Sequence, residues 1–207
     1  FYTPKTLYII VNAFSILLRK AKCIPAAKIV SRLALGIALV CFVVILNGIT
    51  WYRYSYKIEQ ETVCIKTLPD SFNGFRIVQL TDLHLGSYGK HYPGITKLVD
   101  EVNRLNPDLI VFTGDMVNSF ASEMDPWIET LKKLKAKYGK YATTGNHDYG
   151  TYVKWPTKTD QENNLKQFFK NMEQADFVML NNTNVPLVIA NDTLYLAGVE
   201  NWGLPPF

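Results

Sequence analysis

Between Arg32 and Arg53 the sequence carries no charged side chain. The run Leu33–Tyr52, LALGIALVCFVVILNGITWY, stays apolar until Asn47 and Thr50 near its end. A helix needs ~20 apolar residues to cross the hydrocarbon core of a bilayer, and this run supplies them. Trp51, Tyr52, Tyr54 and Tyr56 gather at its end, where an interfacial aromatic belt would sit. A buried core helix would keep a polar stripe. A signal peptide would have a shorter apolar stretch and a small-residue cleavage site, and no A-x-A pattern follows Ile45. Residues 33–54 therefore read as an uncleaved transmembrane helix.

A second uncharged run, Thr6–Leu18, is too short to span alone, and residues 1–18 read as the end of an upstream membrane helix. Residues 19–32 read as a basic loop, with Arg19, Lys20, Lys22, Lys28 and Arg32 and no acid. The positive-inside rule makes that loop cytoplasmic and everything after Trp51 extracytoplasmic. No acid or base lies inside the apolar run, which argues against a transporter or channel pathway. The chain starts at Phe1 and stops at Gly203-Leu-Pro-Pro-Phe207, shortly after an expected strand, so it reads as part of a longer protein.

The net charge of +4 is mild, and no basic run interleaves with aromatics, so nucleic acid is not an expected partner. Cys23, Cys41 and Cys64 show no C-x-x-C spacing, which leaves neither a zinc knuckle nor a disulfide framework.

From Lys57 the composition becomes that of a globular domain, expected over residues 57–207. Strands are expected at Thr62–Thr67, Arg76–Leu80, Asp108–Thr113, Lys140–Thr144, Phe177–Leu180, Val185–Ala190 and Thr193–Gly198, with a turn at Asn191-Asp192 joining the last two. Helices are expected at Tyr92–Leu105, from Asp125-Pro126 to about Lys137, and at Asp160–Gln174. Alternating strands and helices point to a layered α/β domain with a largely parallel centre.

Ligands in such sheets collect at the carboxyl ends of the strands. Three successive strands end in polar side chains there: Thr81-Asp82-Leu83-His84, Gly114-Asp115-Met116-Val117-Asn118 and Gly145-Asn146-His147-Asp148. Carboxylate oxygen, imidazole nitrogen and amide oxygen suit a divalent metal of intermediate hardness, such as Mn, Fe or Zn. The set holds no thiolate, which argues against a structural zinc. Asp115 lies on the middle strand of the three, and its two oxygens make it the candidate bridge between two cations. Two cations ~3.5–4 Å apart clamp a phosphoryl group and acidify a shared water for in-line attack on phosphorus. His147 is placed to protonate the leaving oxygen or hold a phosphate oxygen, with Asp148 orienting the imidazole through its other nitrogen. His91, in a loop, reads as solvated, and Asn118 as a turn cap.

These motifs, in the order D-x-H, G-D-x-x-[ND], G-N-H-[DE], resemble those of the calcineurin-like metallophosphoesterases over roughly Gly74 to Glu200. The flanking GFRIVQLTDLHLG and NPDLIVFTGDMVN resemble the membrane-anchored bacterial branch, which implies an integral inner-membrane protein with its domain outside the cytoplasm. The resemblance implies a layered β-sandwich flanked by helices, here cut short, and two divalent metal ions. It implies Asp82 and His84 on the first metal, Asp115 bridging, Asn146 on the second and His147 near the scissile phosphate. It also implies later histidines, including Gly-His-x-His, to complete both metal shells. The last histidine of this sequence is His147, so those ligands lie beyond Phe207 or are absent.

The expected activity is a membrane-anchored, metal-dependent phosphoesterase acting on a phosphodiester or pyrophosphate of a lipid or envelope component. A phosphomonoesterase and a non-catalytic membrane-anchored binding protein are the alternatives. The stretch Tyr149–Trp155 either lines the substrate entrance or serves packing.

Overall fold

The computed structural model describes residues 2–51, 56–90 and 92–203. They divide into two compact units, Phe1–Gln60 and Glu61–Phe207.

The first unit is a helical hairpin of α1 (Tyr2–Lys20) and α2 (Ile24–Thr50). The expected loop over 19–32 is therefore mostly helix. Pro25 sits in the first turn of α2, where its missing N–H has no intrahelical partner to lose. Lys28 and Arg32 are absorbed into the opening turns of α2. Only Ala21–Cys23 is left to turn the chain, with Lys22 in the left-handed region at φ 61°. Of the expected aromatic belt, Tyr52 and Tyr54 lie outside the described residues, as does the end of the expected span.

The seam of the hairpin is built from small residues. Ala27 and Ala34 are fully buried, and Ser15 nearly so. The Ser15 hydroxyl donates to the Ala27 carbonyl at 2.8 Å, and Ser31 Oγ donates to Asn12 Oδ1 at 2.7 Å. Small residues let backbones approach closely, and hydroxyl bonds across helices are the adhesive used where no water competes. Ile9, Leu17, Leu35, Val40 and Val44 face outward. Among the described residues α2 is the one helix long and apolar enough to cross a membrane.

The second unit holds a parallel sheet in the order β1-β2-β3-β4: Ile77–Leu80, Leu109–Phe112, Lys140–Ala142 and Val178–Met179. Parallel neighbours need crossovers, supplied by α3 (Gly94–Arg104), α4 (Ile128–Lys132) and α5 (Lys158–Gln174). α3 buries Ile95, Leu98, Val99 and Val102, the face its period predicts. α5 opens with a capping box, in which Thr157 Oγ1 accepts from Asp160 N and Asp160 Oδ2 accepts from Thr157 N. An antiparallel pair, β5 (Thr183–Ile189) and β6 (Asp192–Gly198), forms a second sheet. Phe72, Leu109 and Leu187 are the buried centre between the sheets, with Val111, Tyr141, Leu194 and Leu196 against them. The fold is thus mixed α/β, with a four-stranded parallel sheet and a two-stranded antiparallel pair.

Three further expectations, in this second unit, differ from the structure. Thr62–Thr67 is not a strand: among the described residues no strand pairs with it, and Val63 and Ile65 are exposed. Asp125-Pro126 does not open the fourth helix, which is capped at Trp127 and ends at Lys132. Its end is set from outside. The Lys140 ammonium donates to the carbonyls of Leu131 and Lys132, and Asn103 donates to that of Lys133. The hairpin between β5 and β6 turns on Ala190-Asn191 instead of Asn191-Asp192, with Ala190 at φ 52°.

Candidate metal centre

Strand register brings the three motifs level. Leu80 pairs with Phe112, and Phe112 with Ala142, so all three strands end at one edge. The loops then bond to one another: Asp82 N donates to the Gly114 carbonyl and His84 N to that of Asp115, both at 3.0 Å. Asp82, His84 and Asp115 all adopt left-handed backbone, at φ 54°, 47° and 60°. Non-glycine residues held there are strained, and such strain gathers at functional sites. Gly114 and Gly145 are glycines for a steric reason. A Cβ on Gly114 would lie 2.4 Å from Gly145 N, and one on Gly145 would lie 2.3 Å from Asp115 Oδ1.

The donors of His84, Asp115 and His147 all lie within 4.8 Å of one another. His84 Nε2 is 3.7 Å from Asp82 Oδ1 and 3.9 Å from Asp115 Oδ2. The two imidazole rings meet edge to face, 4.7 Å between centroids. Asp115 Oδ1 accepts from the His147 backbone N–H at 2.9 Å, leaving Oδ2 toward His84. Asp82 is half exposed and takes a 2.6 Å bond from the Thr81 hydroxyl. These are hard and borderline donors without a thiolate, and they fit a divalent cation.

His147 Nδ1 lies 2.7 Å from the Asn118 carbonyl oxygen. A carbonyl only accepts, so Nδ1 carries the proton and Nε2 is left free for a ligand. The orienting partner expected at Asp148 is therefore a main-chain oxygen. Asp148 itself is fully buried. Its Oδ2 accepts from the Asp115 and Gly145 N–H groups at 3.0 and 2.9 Å, and its Oδ1 from Val117 N–H at 3.2 Å. It clamps the second motif loop to the third, and its hydrogen bonds go to these main-chain groups, not to the imidazole. Burial pushes its carboxyl up from 3.8 to about 6, against the lowering by the three N–H donors.

Asn146 donates through Nδ2 to the Tyr152 hydroxyl at 2.6 Å, and the Tyr152 ring stacks on His147 with centroids 4.4 Å apart. The aromatic stretch thus divides. Tyr152 meets the site, whereas Trp155 donates to the Gly150 carbonyl and packs on Phe120. Tyr149 is turned toward Thr144 and Glu200. Burial raises its phenol above the usual value. Asn118 is more than a turn cap, since its amide also donates to Ser87 Oγ at 3.0 Å. Sequence reasoning could not find the Asn118 carbonyl, which every residue type has. Tyr152 was within reach, five residues after His147. His91 lies outside the described residues.

The family model of the calcineurin-like phosphoesterases matches residues 75–202. The chain is 40% identical over 96 residues to a transmembrane protein with metallophosphoesterase domain from Danio rerio, covering 46% of this chain and 22% of that one. It is 36% identical over 109 residues to the metallophosphoesterase YkuE of Bacillus subtilis, covering 51% and 38%. It is 40% identical over 90 residues to the UDP-2,3-diacylglucosamine pyrophosphatase LpxG of Chlamydia muridarum, covering 42% and 27%. The chain therefore spans between about a fifth and two fifths of the length of these relatives.

Proposed function

The chain belongs to the calcineurin-like phosphoesterase family, and from that premise we propose that it is a membrane-anchored hydrolase of phosphodiesters or pyrophosphates that works with two divalent cations. The convergence of His84, Asp115 and His147 donors within 4.8 Å carries this reading. Asp82 and His84 would hold one cation, Asn146 Oδ1 the other, and Asp115 would be shared. Bound cations supply Lewis-acid polarisation of the phosphoryl group and acidify water.

The chain's own groups do the rest. The Asn118 carbonyl holds the His147 imidazole with Nε2 free, so that nitrogen, when protonated, can donate to a phosphoryl oxygen or give its proton to the leaving oxygen. Asp148 keeps the two loops that carry these groups at fixed separation.

α2 supports membrane attachment. Beyond Arg32 it offers Leu33–Thr50, roughly 27 Å of uncharged helix at 1.5 Å per residue. The basic cluster before it supports an extracytoplasmic domain by the positive-inside rule, which for a bacterial chain is outside the inner membrane. An enzyme tethered there meets lipid-linked and envelope phosphates. LpxG, by its name, cleaves the pyrophosphate of an acylated sugar nucleotide, so a substrate of that chemistry leads over a soluble monoester.

The test is manganese-dependent hydrolysis by the intact protein in detergent, with a chromogenic phosphodiester beside the corresponding monoester. Asp115→Asn is the control. Diester turnover that Asp115→Asn lowers by ~100-fold or more supports the reading. Turnover of the monoester alone shifts it to a phosphomonoesterase. No turnover of either, with the protein folded and manganese bound, leaves a binding protein with this fold.

A further inference from the structure

Tyr152 touches two of the candidate residues at once. Its ring lies on the His147 imidazole, 4.4 Å between centroids and 21° between planes. Its hydroxyl accepts from Asn146 Nδ2 at 2.6 Å. The side chain is not there to fill the core, because 53% of the residue is exposed. Its neighbours in the same stretch are held elsewhere: Trp155 Nε1 by the Gly150 carbonyl, Tyr149 by Thr144 and Glu200.

The amide of an asparagine has two ends of nearly equal shape and opposite chemistry. Only Oδ1 can serve a cation. An amide whose Nδ2 is held by a hydroxyl presents Oδ1 away from that hydroxyl. A cation drawing charge from Oδ1 makes Nδ2 a stronger donor, so the two contacts reinforce each other. The imidazole is fixed at one edge by the Asn118 carbonyl, and a ring on its face removes the remaining freedom to tilt.

Resting on the metal-centre reading above, we propose that Tyr152 is a positioning residue of the site. Its hydroxyl sets the Asn146 amide with Oδ1 toward the second cation, and its ring holds the plane of His147. The two functions reside in different atoms, so they separate by substitution. Tyr152→Phe removes the first and keeps the second; Tyr152→Ala removes both.

The experiment titrates the intact protein in detergent with Mn2+, reading free metal by electron paramagnetic resonance, and measures kcat and KM for the chromogenic diester on the same samples. Tyr152→Phe is expected to weaken one of two manganese-binding steps by ~10-fold, the range of lost partners behind metal ligands. Tyr152→Ala is expected to add a ~10-fold fall in kcat at saturating manganese, with KM little changed. Unfolding followed in chelator reports whether either variant is folded, and Tyr152→Phe stays informative if Tyr152→Ala is not. Wild-type manganese binding by Tyr152→Phe, beside weakened binding by Asp115→Asn, overturns the role of Tyr152 alone. Wild-type binding by both variants overturns the metal centre on which it rests.

Discussion

Gly114→Ala tests how closely the second and third motif loops meet. Gly114 has φ +104°, a conformation L side chains rarely adopt, and an added Cβ would lie 2.4 Å from Gly145 N and 2.5 Å from Gly145 Cα. Both are backbone atoms, so relief to ordinary contact near 3.4 Å requires the loops to part by roughly 1 Å. Backbone strain of this kind costs ~1–3 kcal/mol, and the displaced loop contacts bring the expected loss to ~3–5 kcal/mol. At ~2–4 °C per kcal/mol for a domain of this size, the melting temperature in chelator should fall by roughly 6–20 °C. Because Asp115 and His147 ride on the two loops, a shift near 1 Å should also lower turnover by ~100-fold. Gly74→Ala is the internal control: it has φ +76° with nothing within 4 Å of the added Cβ. It should show the strain alone, ~1–2 kcal/mol, with manganese binding intact. Equal melting temperatures for the two variants, and equal manganese affinity, would refute the loop contact and the reasoning built on it.

Asp148→Ala should unfold at lower urea, by ~2–4 kcal/mol in chelator, because three backbone donors lose their acceptor while removal of a buried charge returns part of the loss. Lys140 is buried, and its ammonium caps the Leu131, Lys132 and Ala175 carbonyls. Burial lowers its pKa below 10.5, so the unfolded chain holds that proton more tightly. Its contribution to stability therefore rises with pH through the window below 10.5 and levels above it. Urea titrations across that range should show the wild type gaining on Lys140→Met as pH rises. Chelation of the intact protein should abolish phosphoester turnover, and added manganese should restore it, as colorimetric assay will report.

The makeup of the candidate site is written in local signals. An apolar strand that ends in Asp82-Leu83-His84, Gly114-Asp115 or Gly145-Asn146-His147 announces both its direction and its donors. The pairing of Leu80 with Phe112 and of Phe112 with Ala142 then carries these ends to one edge. The face of α3 was legible for the same reason, as a period in four apolar residues. Elements with no partner to confirm them were misread. Thr62–Thr67 alternates like a strand, but the ladder bonds that make one come from a neighbour, and none pairs with it among the described residues. α4 is shorter than its sequence allows because Lys140 and Asn103 take its last carbonyls.

The sequence by itself determined the inventory: which donors exist, on which strand ends they ride, and an uncharged run long enough for a membrane. Only the tertiary structure decided how each donor is held. Asn118 took the duty expected of Asp148, and Asp148 took another, because the contacts in both cases run through main-chain groups. Every residue carries an N–H or a carbonyl, so no side-chain pattern marks the one that a fold will use. The tautomer of His147 follows from such a contact, which exists only once distant loops share one edge of the sheet, whereas Asn146 is set beside Tyr152 by a side-chain bond within its own stretch of chain.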